Sequence, residues 1–226
     1  MTHTSDPSNA EPVEPIDDVA PAERPAAAAQ APVRKRPKPG ERRVQILQTL
    51  ASMLEQPGAD RITTAALAAK LDVSEAALYR HFASKAQMFE GLIEFIEQTV
   101  FTLINQIHER EAASNLQVQK MLTVLLQFAE KNPGMARVMV GDALVFENER
   151  LLARMNQFFE RFESQLRQSL RGTADAAGSA TPTVDANAQA SVLTAFAVGR
   201  LQRFARSGFK RSATEHLDAA LRMLAS

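Results

Sequence analysis

A chain of 226 residues is long enough for one or two domains with a sizeable core. Its 45% hydrophobic and 23% charged residues are ordinary for a globular protein, no apolar run approaches the ~18–20 residues of a membrane span, and the N-terminus lacks the apolar stretch of a signal peptide. Cysteine is absent, which excludes disulfide and thiolate chemistry and fits a cytoplasmic setting, and the net charge of zero divides into −5 over residues 1–33, +4 over 34–91 and +1 over 92–226.

Residues 1–40 hold eight of the eleven prolines and almost no large apolar side chains. Such a segment cannot bury enough surface to offset its ordering entropy, which predicts a disordered arm. It runs into the basic stretch RKRPKPGERR, which closes on Arg42 and Arg43. A solvated linker and an arm that tracks phosphates both fit that stretch.

From residue 41 the spacing is helical. Val44, Leu47, Leu50 and Leu54 recur at three- and four-residue steps, and Pro57-Gly58 breaks the run. In ITTAALAAKL, Thr63 or Thr64 caps an alanine-rich helix over 63–71. Asp72-Val73 makes a tight turn, Ser74 caps a third helix over 75–82, and Val73 staples onto Leu78. Ser84 with Gln87 forms a capping box for a fourth helix, which continues to about Ile107. Further helices are expected over 117–131, 135–140, 143–171 and 186–206, and from Thr214, with a loop over 172–185. The fold class is therefore all-α.

Helices 63–71 and 75–82 on a short turn read as a helix-turn-helix, whose second helix enters the major groove of double-stranded DNA. The basic excess over 34–91 favours the same polyanionic partner. Leu78 and Phe82 point inward, leaving Glu75, Ala76, Tyr79 and Arg80 on the other side, where small Ala76 and Ala77 allow close approach to a duplex. Tyr79 and His81 suit phosphate oxygens, and Arg80 suits phosphate or a guanine edge. Tyr79 as a core tyrosine is the plainer alternative, but its helix already has two core anchors. Thr63 and Ser74 are caps that can also meet phosphate. Glu75 favours a helix N-terminus or selects a cytosine. Lys85, at the first position of the fourth helix, is either a tolerated solvent lysine or a phosphate ligand.

The run ITTAALAAKLDVSEAALYRHFASKAQMF, with LYRHF-x-SK at its core, closely resembles the signature of TetR-type DNA-binding proteins. The resemblance implies an N-terminal helix-turn-helix domain (41–91), a C-terminal helical dimerisation domain (92–226) and a homodimer on near-palindromic duplex sites. Asp72 stands where the family usually has glycine, and Ala83 where proline is frequent. The segments GLIEFIEQ, FAEKNPG, ALVFENERL and FERFESQLRQSLR resemble, within that family, the nucleoid occlusion factors. Those proteins bind chromosomal DNA and, when bound, antagonise polymers of the division protein FtsZ. The resemblance implies an FtsZ-facing surface at Phe95, Val124, Lys131 and Asn132, and a nucleoid-associated protein in the cytoplasm. Taken by itself, Phe95 reads equally as core, and Asn132 reads first as a helix C-cap.

The long helix carries one apolar row at Leu151, Met155, Phe158, Phe162 and Leu166, and a second begins at Leu152, Phe159 and Leu170. Two apolar faces suit a core and a partner subunit. Met155, Phe158, Phe162 and Leu166 on this helix, with Phe196, Gly199 and Arg203 on the next, are the expected dimer interface; a broad core within one chain is the alternative. The four histidines lack metal-ligand spacing, and neither a phosphate-cradling glycine loop nor a nucleophile setting is present. An enzyme, a metal and a cofactor are not expected. A ligand-responsive TetR-type repressor is the competing function, and a DNA-binding module with another protein partner is a third.

Overall fold

Hydroxyl side chains open three of the first four helices. The Thr63 hydroxyl accepts the Ala66 N–H at 3.1 Å and starts α2 (Thr64–Lys70). Ser74 accepts from Ala77 and starts α3 (Glu75–Tyr79), and Ser84 accepts from Gln87 and starts α4 (Lys85–Arg110). Each satisfies one of the N–H groups that a helix leaves without an internal partner. The Gln87 side chain reaches back to the Ala83 N–H at 2.7 Å, one residue before the cap. Asp72 takes φ 54° between α2 and α3, a left-handed conformation that aspartate tolerates better than most residues.

The computed structural model describes residues 40–56 and 61–224, and every regular element there is helical. The expected arm and the Pro57-Gly58 break lie outside the described residues. Before α2 comes α1 (Glu41–Leu54); after α4 come α5 (Ser114–Lys131), α6 (Pro133–Met139), α7 (Glu149–Ala176), α8 (Pro182–Arg206) and α9 (Leu217–Leu224). The α4 helix runs unbroken through residues 91 and 92, where a domain boundary is expected.

The structure settles which side of α1 is buried and corrects two expected element boundaries. On α1 the buried row is Ile46, Leu50 and Leu54, while Val44 is exposed and Leu47 half-buried. The long helix does not begin at 143: a 3-10 turn, Asp142–Leu144, comes first, and Asn148 caps α7 by accepting from Arg150. The expected loop over 172–185 shrinks to 177–181, because alanine-rich sequence extends α7 and Pro182 opens α8 at a first-turn position that needs no N–H.

The core of the C-terminal half lies where α7 packs against α8 and α5. Met155, Phe158, Phe162 and Leu166 are at most 2% exposed within the single chain. They have no area left to bury against a partner, so their expected interface role is corrected to core. The face that stays open is on α8: Val192 is exposed, Phe196 and Gly199 are half-buried, and Arg203 is exposed, at steps of four, three and four residues. On α7, Leu152 is exposed and Phe159 half-buried.

Two charged side chains fasten the segment that leads into α9. Arg200 Nε donates to the Ala213 carbonyl at 2.8 Å, and its guanidinium also reaches the Ser212 and Glu215 carbonyls. Glu130 accepts from the Ser212 hydroxyl and from both the N–H and the hydroxyl of Thr214. Burial pushes the Glu130 carboxyl up, but these donated hydrogen bonds together outweigh it and hold the group below the usual carboxylate range. A depressed carboxyl stabilises above its unfolded pKa, and that contribution is lost as pH falls through the folded value. Glu130→Ala at neutral pH, and acidification of the wild type below the ordinary glutamate range, are therefore expected to free residues 212–224. Peptide-level hydrogen exchange at neutral pH checks the variant, with about a tenfold rise there and none in α2–α3. Limited proteolysis across the acid range checks the wild type.

Candidate nucleic-acid interface

The two short helices sit on a common floor. Leu67, Leu71, Leu78 and Phe82 are buried beneath them, so the polar side chains between these positions must face out. Tyr79 is 46% exposed, which removes the core-tyrosine alternative. Arg80 and His81 are exposed, as are Glu75 and Ala76, and Ala77 is half-buried. The smooth strip of Ala76 and Ala77 beside an exposed phenol, guanidinium and imidazole has the chemistry for a phosphate backbone and a groove floor.

Several of the expected contact residues already have partners. Thr63 and Ser74 serve their helices as caps. Thr64 donates its hydroxyl to Glu75 Oε2 at 2.5 Å, which ties the first turn of α2 to the first turn of α3. Arg42 donates to Gln45 at 2.8 Å. Arg43 donates to the His81 carbonyl at 2.9 Å, with its guanidinium 4.1 Å from the Phe82 ring centroid. It thus closes the C-terminal end of the recognition segment from α1 instead of standing free for a phosphate. Lys85 is paired with Glu147, and its ammonium lies 5.7 Å from the Phe89 ring centroid. Neither the Arg43 nor the Lys85 contact has a local signal in the sequence, since the partners lie 38 and 62 residues away.

Tyr79→Ala is expected to weaken DNA binding by about tenfold across unrelated duplexes with the melting temperature unchanged, because the phenol would contact phosphate and carries no core packing. Anisotropy titrations over a panel of duplex sequences check this. A change in base preference at constant mean affinity would assign the ring to base edges instead.

A second surface lies along α4. Val44, Leu47, Leu92, Phe95, Asn132 and Met135 line a groove between α1, α4 and the α5–α6 junction. Phe95 is 45% exposed, with its ring 6.1 Å from that of buried Phe128. Asn132 lines the groove while donating its amide to the Phe128 carbonyl at 2.8 Å, so it is also the C-cap of α5. Val124, half-buried, and Lys131, exposed, lie on α5 with exposed Gln127 between them. The structure thus brings Phe95 and Asn132 to one groove, with Val124 and Lys131 along the neighbouring helix. The α1 residues of that groove were not recognised from the sequence, where Val44 and Leu47 served only to mark helical spacing.

The family model described as bacterial regulatory proteins, tetR family, matches residues 46–92. The SlmA-like one, described as tetracyclin repressor-like, C-terminal domain, matches residues 113–226. The nucleoid occlusion factor SlmA of Aliivibrio fischeri strain MJ11 is 51% identical over 183 residues, 80% of this chain and 93% of that protein. That of Photobacterium profundum is 50% identical over 190 residues, 84% and 96% of the respective chains. Among solved structures, a TetR-family regulator from Rhodococcus sp. has a TM-score of 0.62 at 19% identity, covering 82% of this chain and all 100% of that one. FadR of Bacillus subtilis, in complex with stearoyl-CoA, has a TM-score of 0.64 at 14% identity, covering 81% and 97%. At such identities these structures are similar in fold.

Proposed function

Because the chain belongs to the TetR family, in its SlmA branch of nucleoid occlusion factors, we propose that its DNA-bound form acts on FtsZ polymers and keeps the septum from assembling over the chromosome. DNA recognition falls to α2 and α3, with Tyr79, Arg80 and His81 toward the duplex. The observation that carries the FtsZ reading is the groove at Phe95, whose walls come from both α1 and α4–α6. A surface built from the DNA-binding and C-terminal halves together is one whose shape depends on both, as a DNA-dependent activity requires. An exposed phenylalanine at its edge supplies an apolar anchor of the kind that dominates binding energy.

The same reading takes the protein as a homodimer on near-palindromic duplex sites. The open stripe of Val192, Phe196, Gly199 and Arg203 on α8 supports it, since a two-fold axis beside that stripe would bring two copies of one patch together. No described helix is long and apolar enough to cross a membrane, and the expected site of action is the nucleoid in the cytoplasm.

Co-sedimentation of FtsZ with the full chain, with and without a duplex selected by it, tests the proposal. Polymer loss that depends on the duplex is the expected result; none with either would remove the FtsZ role. Genome-wide occupancy separates this function from that of a ligand-responsive repressor. An occlusion factor is expected at many sites away from the replication terminus, a repressor at a few promoters.

A further inference from the structure

Lys85 is the first residue of α4, directly after the recognition segment, and Glu147 lies in the stretch between the 3-10 turn and α7. Their ion pair joins the start of α4, directly after the helix-turn-helix, to this distant stretch. The acid is the more covered partner: the Glu147 side chain is 10% exposed and that of Lys85 24%, so the ammonium sits at the rim. Between buried Leu144 and buried Leu151, the stretch has no apolar anchor, since Val145 is 68% and Phe146 66% exposed. Glu147 ties it to the start of α4, and Arg150 to Glu90 at 2.6 Å ties it one turn further along.

We propose that Glu147 competes with the DNA backbone for the Lys85 ammonium, so that DNA binding exchanges this ion pair for a phosphate contact and releases residues 145–148 from α4. This rests on the DNA-binding function above and adds a residue that limits affinity without touching DNA. Lys85 cannot satisfy both anions fully at once. Every binding event therefore includes the loss of a partly covered ion pair, and affinity is lower than the phosphate contact alone would give. Conversely, whatever draws Glu147 away from α4 raises DNA affinity.

The test uses the full chain and a fluorescent duplex recovered by the wild type from a randomised library, titrated between 50 and 200 mM salt. Glu147→Gln is expected to bind about fivefold tighter at fixed salt, the size of a modest ion pair, with an unchanged salt slope. Lys85→Gln is expected to lower the slope of log K against log salt by about 0.9, one phosphate contact. The double variant should bind like Lys85→Gln, with no gain from the second change. It also removes both charges together, so the slope remains readable if Lys85→Gln alone, with a covered carboxylate left unpaired, fails to fold. A gain from Glu147→Gln that persists without Lys85, no gain at all, or an unmoved slope on loss of Lys85 each overturns the exchange. A wild-type chain that enriches no duplex overturns the DNA-binding function as well, which is a separate outcome.

Discussion

Gly134→Ala is expected to lower the melting temperature by roughly 6–12 °C, the equivalent of about 3 kcal/mol for a chain of this size. Gly134 stands at the start of α6 where that helix crosses α1. A Cβ added there would lie 2.1 Å from the Ala51 carbonyl oxygen and 3.3 Å from Leu54 Cβ. The nearest atom is backbone, so no rotamer change relieves the clash, and α1 must move off α6. Overpacking of a buried site typically costs about 1–3 kcal/mol, and a backbone obstacle places this substitution at the upper end. The displaced helix also forms a wall of the Phe95 groove, through Val44, Leu47 and Ala51. Partner binding should therefore fall even at temperatures where the variant stays folded. Calorimetry with FtsZ co-sedimentation at 20 °C checks both parts. A melting point within 2 °C of wild type would show that α1 and α6 adjust at little cost, which the 2.1 Å approach argues against.

That prediction was not available from the sequence, where Asn132-Pro133-Gly134 reads as a helix stop. The stop is real, but only Asn132 interrupts the helices, and the glycine is needed for an approach by a helix some eighty positions earlier. Local signals were legible for the same reason throughout. Thr63, Ser74 and Ser84 act on N–H groups three residues ahead, and Asp72 needs only its own backbone freedom. Sidedness was less legible. On α1, two interleaved apolar rows are compatible with the same spacing, and the structure buries Ile46, Leu50 and Leu54 while Val44 goes to the groove. On α7, two apolar rows suggested two partners, yet the richer row is covered within one chain by α5 and α8. Which row meets a second molecule depends on packing between helices, which periodicity along one helix does not encode. Long-range polar contacts lay furthest from view. Arg43 to His81, Lys85 to Glu147 and Glu130 to Thr214 join residues whose local sequences each permit a free, solvated side chain.

Phe95→Ala is expected to raise the amount of protein needed for half-maximal loss of FtsZ polymer by more than about tenfold, while duplex affinity stays within about twofold of wild type. The asymmetry follows from position. The groove that Phe95 lines is formed by α1, α4 and the α5–α6 junction, with its lining drawn from outside α2 and α3, and Phe95 is 45% exposed. Truncating a ring that is 45% exposed removes its contact with Phe128 but opens no sealed cavity, so folding should lose far less than the about 3–5 kcal/mol of a buried phenylalanine. An apolar anchor that dominates an interface carries about 2 kcal/mol or more, roughly thirtyfold, so a loss of more than about tenfold is a conservative bound. Asn132 is the poorer probe although it lines the same groove, because its amide closes α5 and its removal would mix partner loss with helix fraying. Lys131→Glu is the better companion: the side chain is exposed, α5 already places it near its C-terminal end, and charge reversal tests whether an acidic stretch of the partner lies beside the anchor. If Phe95→Ala leaves the polymer assay unmoved while Lys131→Glu abolishes activity, the contact runs along the exposed side of α5 and the groove is not its centre. If neither substitution moves it, the FtsZ surface lies elsewhere on the molecule.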